Sequence, residues 1–540
     1  MAPMSALFLP PLDAAATPPQ IKDAQACAQW LAGLPLTNIP LARSEIAREL
    51  DSLNRFPLPA RERLKIVEQL RPPVAYLQDE TAKKYLDKPL PLGPAEEAAW
   101  QDALGLWQSM GTAYLHCLRA WLEGDDTVAE YAALIAQRCL HCTGAGMLEH
   151  YRTYRQVAEA HWRSLHALYA IAEERGLTSQ PVKDSLNSQT ETSTCDAAYA
   201  KALLTHLANP CRLAPKQFVQ MERWLDKWAI RTPIVAERPT APPLSVIAVD
   251  LDGASGPLIL NEQQLIRPRY LDNRRLASTI RKRVKLLRKG ESPAEAGLGE
   301  DCIQPGCEIF LTSLYNHWCE VAPARAYRRR PGSVEAQLCF SIPAMHFYVS
   351  GEKLFKQPES QTSLGRREME DMRLFGRVSE RTEKQQAAQH GFSLETWQIE
   401  DESVSGFRLF RPSTGGEPLS HNQLVAIRPT DGKHFVLGTI RWLMLTAGGE
   451  PQIGTRTLPG VPLAIAARPE ELNPTGGGKF VPAFLLPGVV ALNEPSSLVL
   501  PSGWFAPGKQ VEVLAESMMT VKLHALLEKG TGYERVSFTR

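Results

Sequence analysis

Apolar positions recur with helical spacing through the first part of the chain and alternate in twos through much of the last part. Helical stripes cover residues 21–34, 44–56, 59–86, 95–122 and 127–176, and two further helices are expected at 195–208 and 214–229. Within 127–176, Trp162, Leu165, Tyr169 and Ala172 share one face, and Gly176 suits the position just past a helix end. These lengths suit antiparallel hairpins stacked like tetratricopeptide repeats, although no fixed period emerges. The pattern predicts an all-α helical-hairpin bundle over 1–235, a natural surface for a protein partner. The polar run 178–194 reads as an exposed loop. The Pro-rich 231–243 reads as a linker and the main domain boundary.

Residues 244–355 have a mixed α/β pattern. Strand, turn and strand are expected at 244–260, where DLDGASG faintly echoes a later DESVSG, as a degenerate barrel would. Residues 269–290 form an amphipathic helix with Leu276, Ile280, Val284 and Leu287 on one face and eight arginines and lysines around the rest. A second helix is expected at 307–321. The run 334–351 reads as a strand with His346 packed in it. Further on, 393–401, 423–429 and 436–445 alternate between polar or glycine-bearing turns, as an antiparallel β-barrel does. That barrel is placed at 366–470, with Trp442 in its core, and 471–540 is read as a β-rich extension. The fold class is multidomain α+β.

Composition narrows the function. A chain of 540 residues exceeds what one core serves. Its 44% apolar and 22% charged residues are ordinary for a soluble protein, and a net charge of +1 gives no global pull toward nucleic acid or membrane. No apolar run is long enough for a membrane span, and the proline-broken start has no basic segment of a secretory signal. Ten cysteines without a framework point to a reducing, cytoplasmic setting. Cys139 and Cys142, and likewise Cys302 and Cys307, read as buried helix cysteines rather than metal ligands. The basic stretch 269–290 reads first as a solvated helix face; nucleic-acid binding there is a third-rank alternative, since no aromatic interleaving accompanies it. The glycines at 474–480 read as a turn, since a phosphate loop needs Ser or Thr after its lysine. No nucleophile elbow, zinc-protease motif or dinucleotide fingerprint occurs, so no enzyme, no metal and no cofactor are expected.

One constellation carries chemistry. RVSER places Arg377 and Arg381 four residues apart, and DESVSG places Asp401, Ser403 and Gly406 in a D-x-S-x-x-G pattern ahead of a β-meander with an Arg441-Trp442 strand. This order resembles the PilZ family, small β-barrels that bind the bacterial second messenger cyclic di-GMP. The chemistry suits that ligand. A guanidinium grips a phosphate, or guanine O6 and N7, with a planar fork, and it stacks on a purine face. Asp401 is an acceptor for guanine N1–H and N2–H₂, Ser403 adds a hydroxyl, and Gly406 permits close backbone approach. A second arginine pair, Arg325 and Arg329, directly precedes the strand-like 334–340. If that strand is the barrel's first, residues 350–392 are an insertion and the upstream pair belongs to the site. Proximity to Asp401 favours Arg377 and Arg381. The resemblance implies a non-enzymatic receptor whose barrel senses cyclic di-GMP and whose helical region engages an unknown protein partner. The alternative is a ligand-free adaptor working through protein contacts alone.

Overall fold

The computed structural model describes residues 7, 9–187, 190–239, 244–259, 264–320, 330–332, 334–358, 389–403, 405–470 and 478–540. The chain divides into two compact units, one of Met1–Lys88 and Leu92–Ala324, the other of Arg325–Arg540 with the short stretch Pro89–Pro91.

The first unit is built on α1 (Ala24–Ala32), α2 (Ile39–Arg55), α3 (Ala60–Ala82), α4 (Pro94–Leu122), α5 (Ala132–Arg152), α6 (Glu159–Glu174), α7 (Cys195–Leu207) and α8 (Pro215–Trp228). Each buries the apolar stripe that its sequence shows, and the ends are capped where side chains allow. Asp23, Asn38 and Thr194 each accept a backbone N–H of the first turn. The stretch 178–194 is not a free loop. It holds a hairpin of β1 (Val182–Lys183) and β2 (Thr192–Ser193), and Asp184 is buried in an ion pair with Arg71 at 2.7 Å. A loop that carries a buried charge must fold onto the charge's partner.

Nor does the Pro-rich 231–243 separate two cores. Beyond it, β3 (Ile234–Val235), β4 (Ile247–Asp250), β5 (Leu258–Ile259) and β6 (Pro268–Leu271) form one antiparallel sheet ordered β3-β6-β4-β5. With α9 (Arg274–Arg288) and α10 (Gly306–Cys319), this sheet shares a hydrophobic core with the helices. Trp318 Nε1 donates to the Leu204 carbonyl at 2.8 Å, and the Trp224 ring lies 5.4 Å from Phe310. Cys139 and Cys142 are buried in α5 as expected. Cys302 and Cys307, expected as separate buried thiols, are joined in a disulfide five residues apart.

In the second unit, β8 (Glu335–Cys339), β9 (Glu395–Ser403), β10 (Gly406–Phe410), β11 (Leu424–Pro429), β12 (Val436–Leu445) and β13 (Pro451–Thr457) pair antiparallel in the order β10-β13-β12-β11-β8-β9. Because β9 also pairs with β10, the sheet closes on itself. A short β7 (Arg330–Pro331) runs into β8 along the same edge of β9, pairing with it at Glu402 and Asp401. The strand Glu335–Cys339, read from sequence as part of the mixed segment, is therefore a stave of this barrel. The second half of 334–351 is not strand but helix α11 (Ile342–Val349), capped by Ser341 and opened by a proline in its first turn. An unbroken apolar run has no period that separates strand from buried helix.

A second barrel follows. β14 (Leu463–Pro469), β15 (Val481–Leu486), β16 (Ser497–Pro501), β17 (Gln510–Leu514), β18 (Met518–Lys529) and β19 (Tyr533–Thr539) close in the order β14-β15-β16-β19-β18-β17. What read as an extension of one sheet has its own core, from Ile465 and Ala467 to Val521 and Val536. Between the barrels lies another apolar cluster, where Met345 of α11 meets Leu437 and Leu458 on one side and Phe484, Val499 and Tyr533 on the other. His346 of the same helix donates from Nε2 to the Ile465 carbonyl at 3.1 Å.

Candidate functional site

The D-x-S-x-x-G pattern forms the β9–β10 hairpin. Strand β9 is set by alternation: Trp397 and Ile399 point inward and are buried, whereas Gln398 and Glu402 are exposed. A bulge at Glu400 shifts the register, so Asp401 faces Arg408 while Ile399 faces Leu409. The extra carboxylate is taken up by Arg408 at 2.6 Å and by Gln452 Nε2, also at 2.6 Å. Ser403 closes the turn by donating from Oγ to the Gly406 carbonyl at 3.2 Å.

Gly406 is fixed by backbone crowding. A Cβ on it would stand 1.9 Å from the Thr455 carbonyl oxygen on β13. The same strand takes the hairpin tip on both sides. Thr457 N donates to the Ser405 carbonyl at 2.9 Å, and Phe407 N donates to Thr455 Oγ1 at 3.3 Å. The close backbone approach anticipated at Gly406 is thus an approach of the barrel to itself.

Arg377, Arg381, Arg325 and Arg329 lie outside the described residues. The structure does describe where the upstream arginine run ends. Arg330 pairs with Glu402 and Pro331 with Asp401, so the last arginine of RAYRRR runs antiparallel along the strand that bears Asp401 and Ser403. Register in a sheet is a long-range property, and no local pattern carries it. The available signal was the strand-like 334–340 directly after an arginine run.

Two further groups support the barrel and were not legible in the sequence. Arg411, 2% exposed, donates to Glu395 Oε2 at 3.2 Å and to the Glu417 carbonyl at 3.1 Å, and its guanidinium lies 5.3 Å from the Trp397 ring centre. The large core aromatic of this barrel is Trp397. Trp442, expected in that place, is only half-buried and lies against Gly454, where a Cβ would meet its indole nitrogen. The neighbouring Arg441 turns to Glu528 of the second barrel at 3.7 Å.

The basic helix α9 spends much of its charge internally. Arg274 pairs with Asp272, Arg288 pairs with Glu308, and Arg281 donates to the Tyr315 hydroxyl at 2.6 Å. Arg283 lies over Trp228. Four of its eight cations are thus tied to neighbours on the protein itself. Among the described residues no group of three or more acidic, histidine or cysteine side chains could hold a metal ion, and no helix is long and apolar enough to cross a membrane.

Fold and hairpin together define a class: a multidomain α+β protein with a long helical N-terminal region and a PilZ-like antiparallel barrel. More particularly, residues 25–238 match the family model of the N-terminal domain of the cyclic-di-GMP receptor FimW, and residues 465–540 match that of the FimW C-terminal beta-barrel domain. Both ends of the chain thus resemble domains described for that receptor, and the C-terminal match coincides with the second barrel. The cyclic-di-GMP receptor FimW of Pseudomonas aeruginosa PAO1 is 24% identical over 541 aligned positions, which span 92% of this chain and 86% of that protein.

Proposed function

We propose that this chain is a non-enzymatic receptor for cyclic di-GMP, with the nucleotide held at the β9–β10 hairpin of the first barrel. Asp401 accepts from the Watson–Crick edge of a guanine, Ser403 contributes a hydroxyl, and Gly406 sets the shape of the turn. Arg325 and Arg329 supply the guanidinium forks, in preference to Arg377 and Arg381. The observation that supports this choice is the pairing of Arg330 with Glu402, which carries the upstream run onto the strand of Asp401. The names of the matching family models and relative support the ligand. In this reading the arginine segment clamps on binding, and the helical region engages a protein partner in the cytoplasm.

Calorimetric titration of the full chain with cyclic di-GMP tests the reading. Binding is expected to weaken tenfold or more in Arg325→Ala, Arg329→Ala and Asp401→Ala, because each change leaves a polar edge of the ligand unpaired. Unchanged affinity in Arg377→Ala and Arg381→Ala is expected alongside. Loss in the latter pair alone would return the site to the downstream arginines. Absence of binding by the wild type would leave the ligand-free adaptor.

A further inference from the structure

Helix α9 carries no carboxylate, and half of its eight cations are left over once the internal ties are made. Arg275, Lys282, Lys285 and Lys289 are exposed, and their side chains make no hydrogen bond or ion pair with any described residue. Spaced seven, three and four residues apart, they form one stripe along the helix. Of the acids in the loop that follows, Asp301 is held by Arg223 of α8 and Glu295 folds back on Ser292. Glu291 and Glu300 lie past the helix end, so the stripe itself is positive with no acid in it.

A second observation is independent of charge. Ile309, in the first turn of α10, is 67% exposed, and Ile303, in the loop just before that helix, is 77% exposed. Scattered singly, such side chains mean little, but these two share a place with the stripe. Arg288 meets Glu308 at 2.7 Å and Arg281 meets the Tyr315 hydroxyl at 2.6 Å, so α9 and α10 run antiparallel, side by side. Both press their opposite sides into one core, through Leu276, Ile280 and Leu287 on α9 and Phe310, Leu314 and Trp318 on α10. Their outer sides therefore look the same way, with Ile309 at the end of the pair that carries Lys285 and Lys289. The Cys302–Cys307 disulfide ties the loop of Ile303 to that same first turn.

We infer that the outer face of α9 and α10 docks on an anionic lipid surface, its free cations meeting headgroup phosphates while Ile303 and Ile309 enter the edge of the acyl layer. Clustered lysines and arginines are drawn to anionic leaflets, and lasting attachment takes a second, apolar signal. The apolar side of α9 is spent in the protein core, so that second signal comes from the start of α10. A nucleic-acid backbone matches the cations but leaves both isoleucines in water. The rings of α10, Phe310, Tyr315 and Trp318, are buried and offer no platform for a base. With a net charge of only +1 on the whole chain, the attraction is local to this face. The inference goes beyond the nucleotide hairpin and does not depend on it.

Co-sedimentation of the full chain, without nucleotide, tests it on vesicles of phosphatidylcholine alone and of phosphatidylcholine with about one third phosphatidylglycerol. Binding is expected to the mixed vesicles and not to the neutral ones, and it should weaken as salt is added. Lys282→Glu combined with Lys285→Glu and Lys289→Glu should weaken it tenfold or more. Ile303→Ser and Ile309→Ser should each weaken it severalfold, and either one serves if the other does not fold. All five positions are exposed, and melting followed by circular dichroism checks that the variants keep the fold. Random-sequence duplex DNA is expected not to displace the vesicles. The assignment would be overturned by equal binding to neutral vesicles, by no binding to the mixed ones, or by displacement with DNA. Binding indifferent to the lysine changes, or sensitive to them but indifferent to both isoleucine changes, would overturn it as well.

Discussion

The hydroxyl oxygens of Thr439 and Tyr533 lie 2.6 Å apart, and both side chains are fully buried where the first barrel meets the second. Both hydroxyls also reach the same carboxylate oxygen, Thr439 donating to Glu528 Oε1 at 2.8 Å and Tyr533 at 3.2 Å. Glu528 in turn pairs with Arg456, the residue after Thr455, against whose carbonyl Gly406 packs. A continuous polar contact thus runs from the D-x-S-x-x-G hairpin to the second barrel. Tyr533→Phe is expected to cost about 1–2 kcal/mol, since it strips a donor from a buried network. Glu528→Leu should cost more, because Arg441 and Arg456 lose their shared partner. Scanning calorimetry of the full chain should show the melt of the second unit lowered in that order.

Two substitutions in the same turn should behave differently. Gly406→Ala has no room beside Thr455 and is expected to destabilise the first barrel by several kcal/mol, enough to reduce soluble yield. Ser403→Ala removes one hydrogen bond on a half-buried turn, and about 1 kcal/mol is expected. Urea unfolding followed by tryptophan fluorescence distinguishes the two, with Trp397 as the buried reporter.

Arg411 and Glu395 form a buried pair whose two halves are not equivalent. Arg411→Ala takes from Glu395 its cation, leaving it only the neutral Trp397 and Glu417 N–H donors, strips the Glu417 carbonyl of its side-chain donor and empties the space over Trp397; about 3–5 kcal/mol of destabilisation is expected. Replacing both residues, as Glu395→Gln with Arg411→Met, should cost less than the single arginine change. A double-mutant cycle by urea denaturation measures the difference.

The helical unit should be sensitive to acid in a defined window. Burial drives His116, His150 and His206 down to about 4 and His141 to about 3. In the unfolded chain these groups protonate near 6.5. Stability is therefore complete above about pH 6.5 and falls as the pH drops toward 4, by up to about 1.4 kcal/mol per pH unit for each histidine. Melting followed by far-ultraviolet dichroism should show a lower midpoint at pH 5 than at pH 7.5. His206→Gln should flatten the slope between those values. A midpoint that rises on acidification would contradict the burial of these rings.

The sequence was most legible where structure is local. Helices α7 and α8 fall within a residue or two of their expected ends, since cap and apolar stripe lie in one stretch of chain. Pairing between distant segments was not legible. Nothing in VEAQLCF states that it hydrogen-bonds to strands beginning at 395 and 424, across a long intervening segment. The same blindness merged two barrels into one with a tail, because alternation marks a strand but not the ring that it joins. At the hairpin, Asp401, Ser403 and Gly406 were identifiable from spacing, but the neighbour that β7 gives them was not. The shared core around Trp318 escaped for a related reason: a proline-rich stretch can cross a packed surface as readily as it can separate two.

Gly406 has one more implication, for how such chains are compared. The residue is imposed by the carbonyl of Thr455, a demand that persists with or without a nucleotide. A chain that bound nothing at this hairpin would still be obliged to keep that glycine. Retention of the glycine is therefore a record of architecture and no evidence, by itself, of a bound ligand.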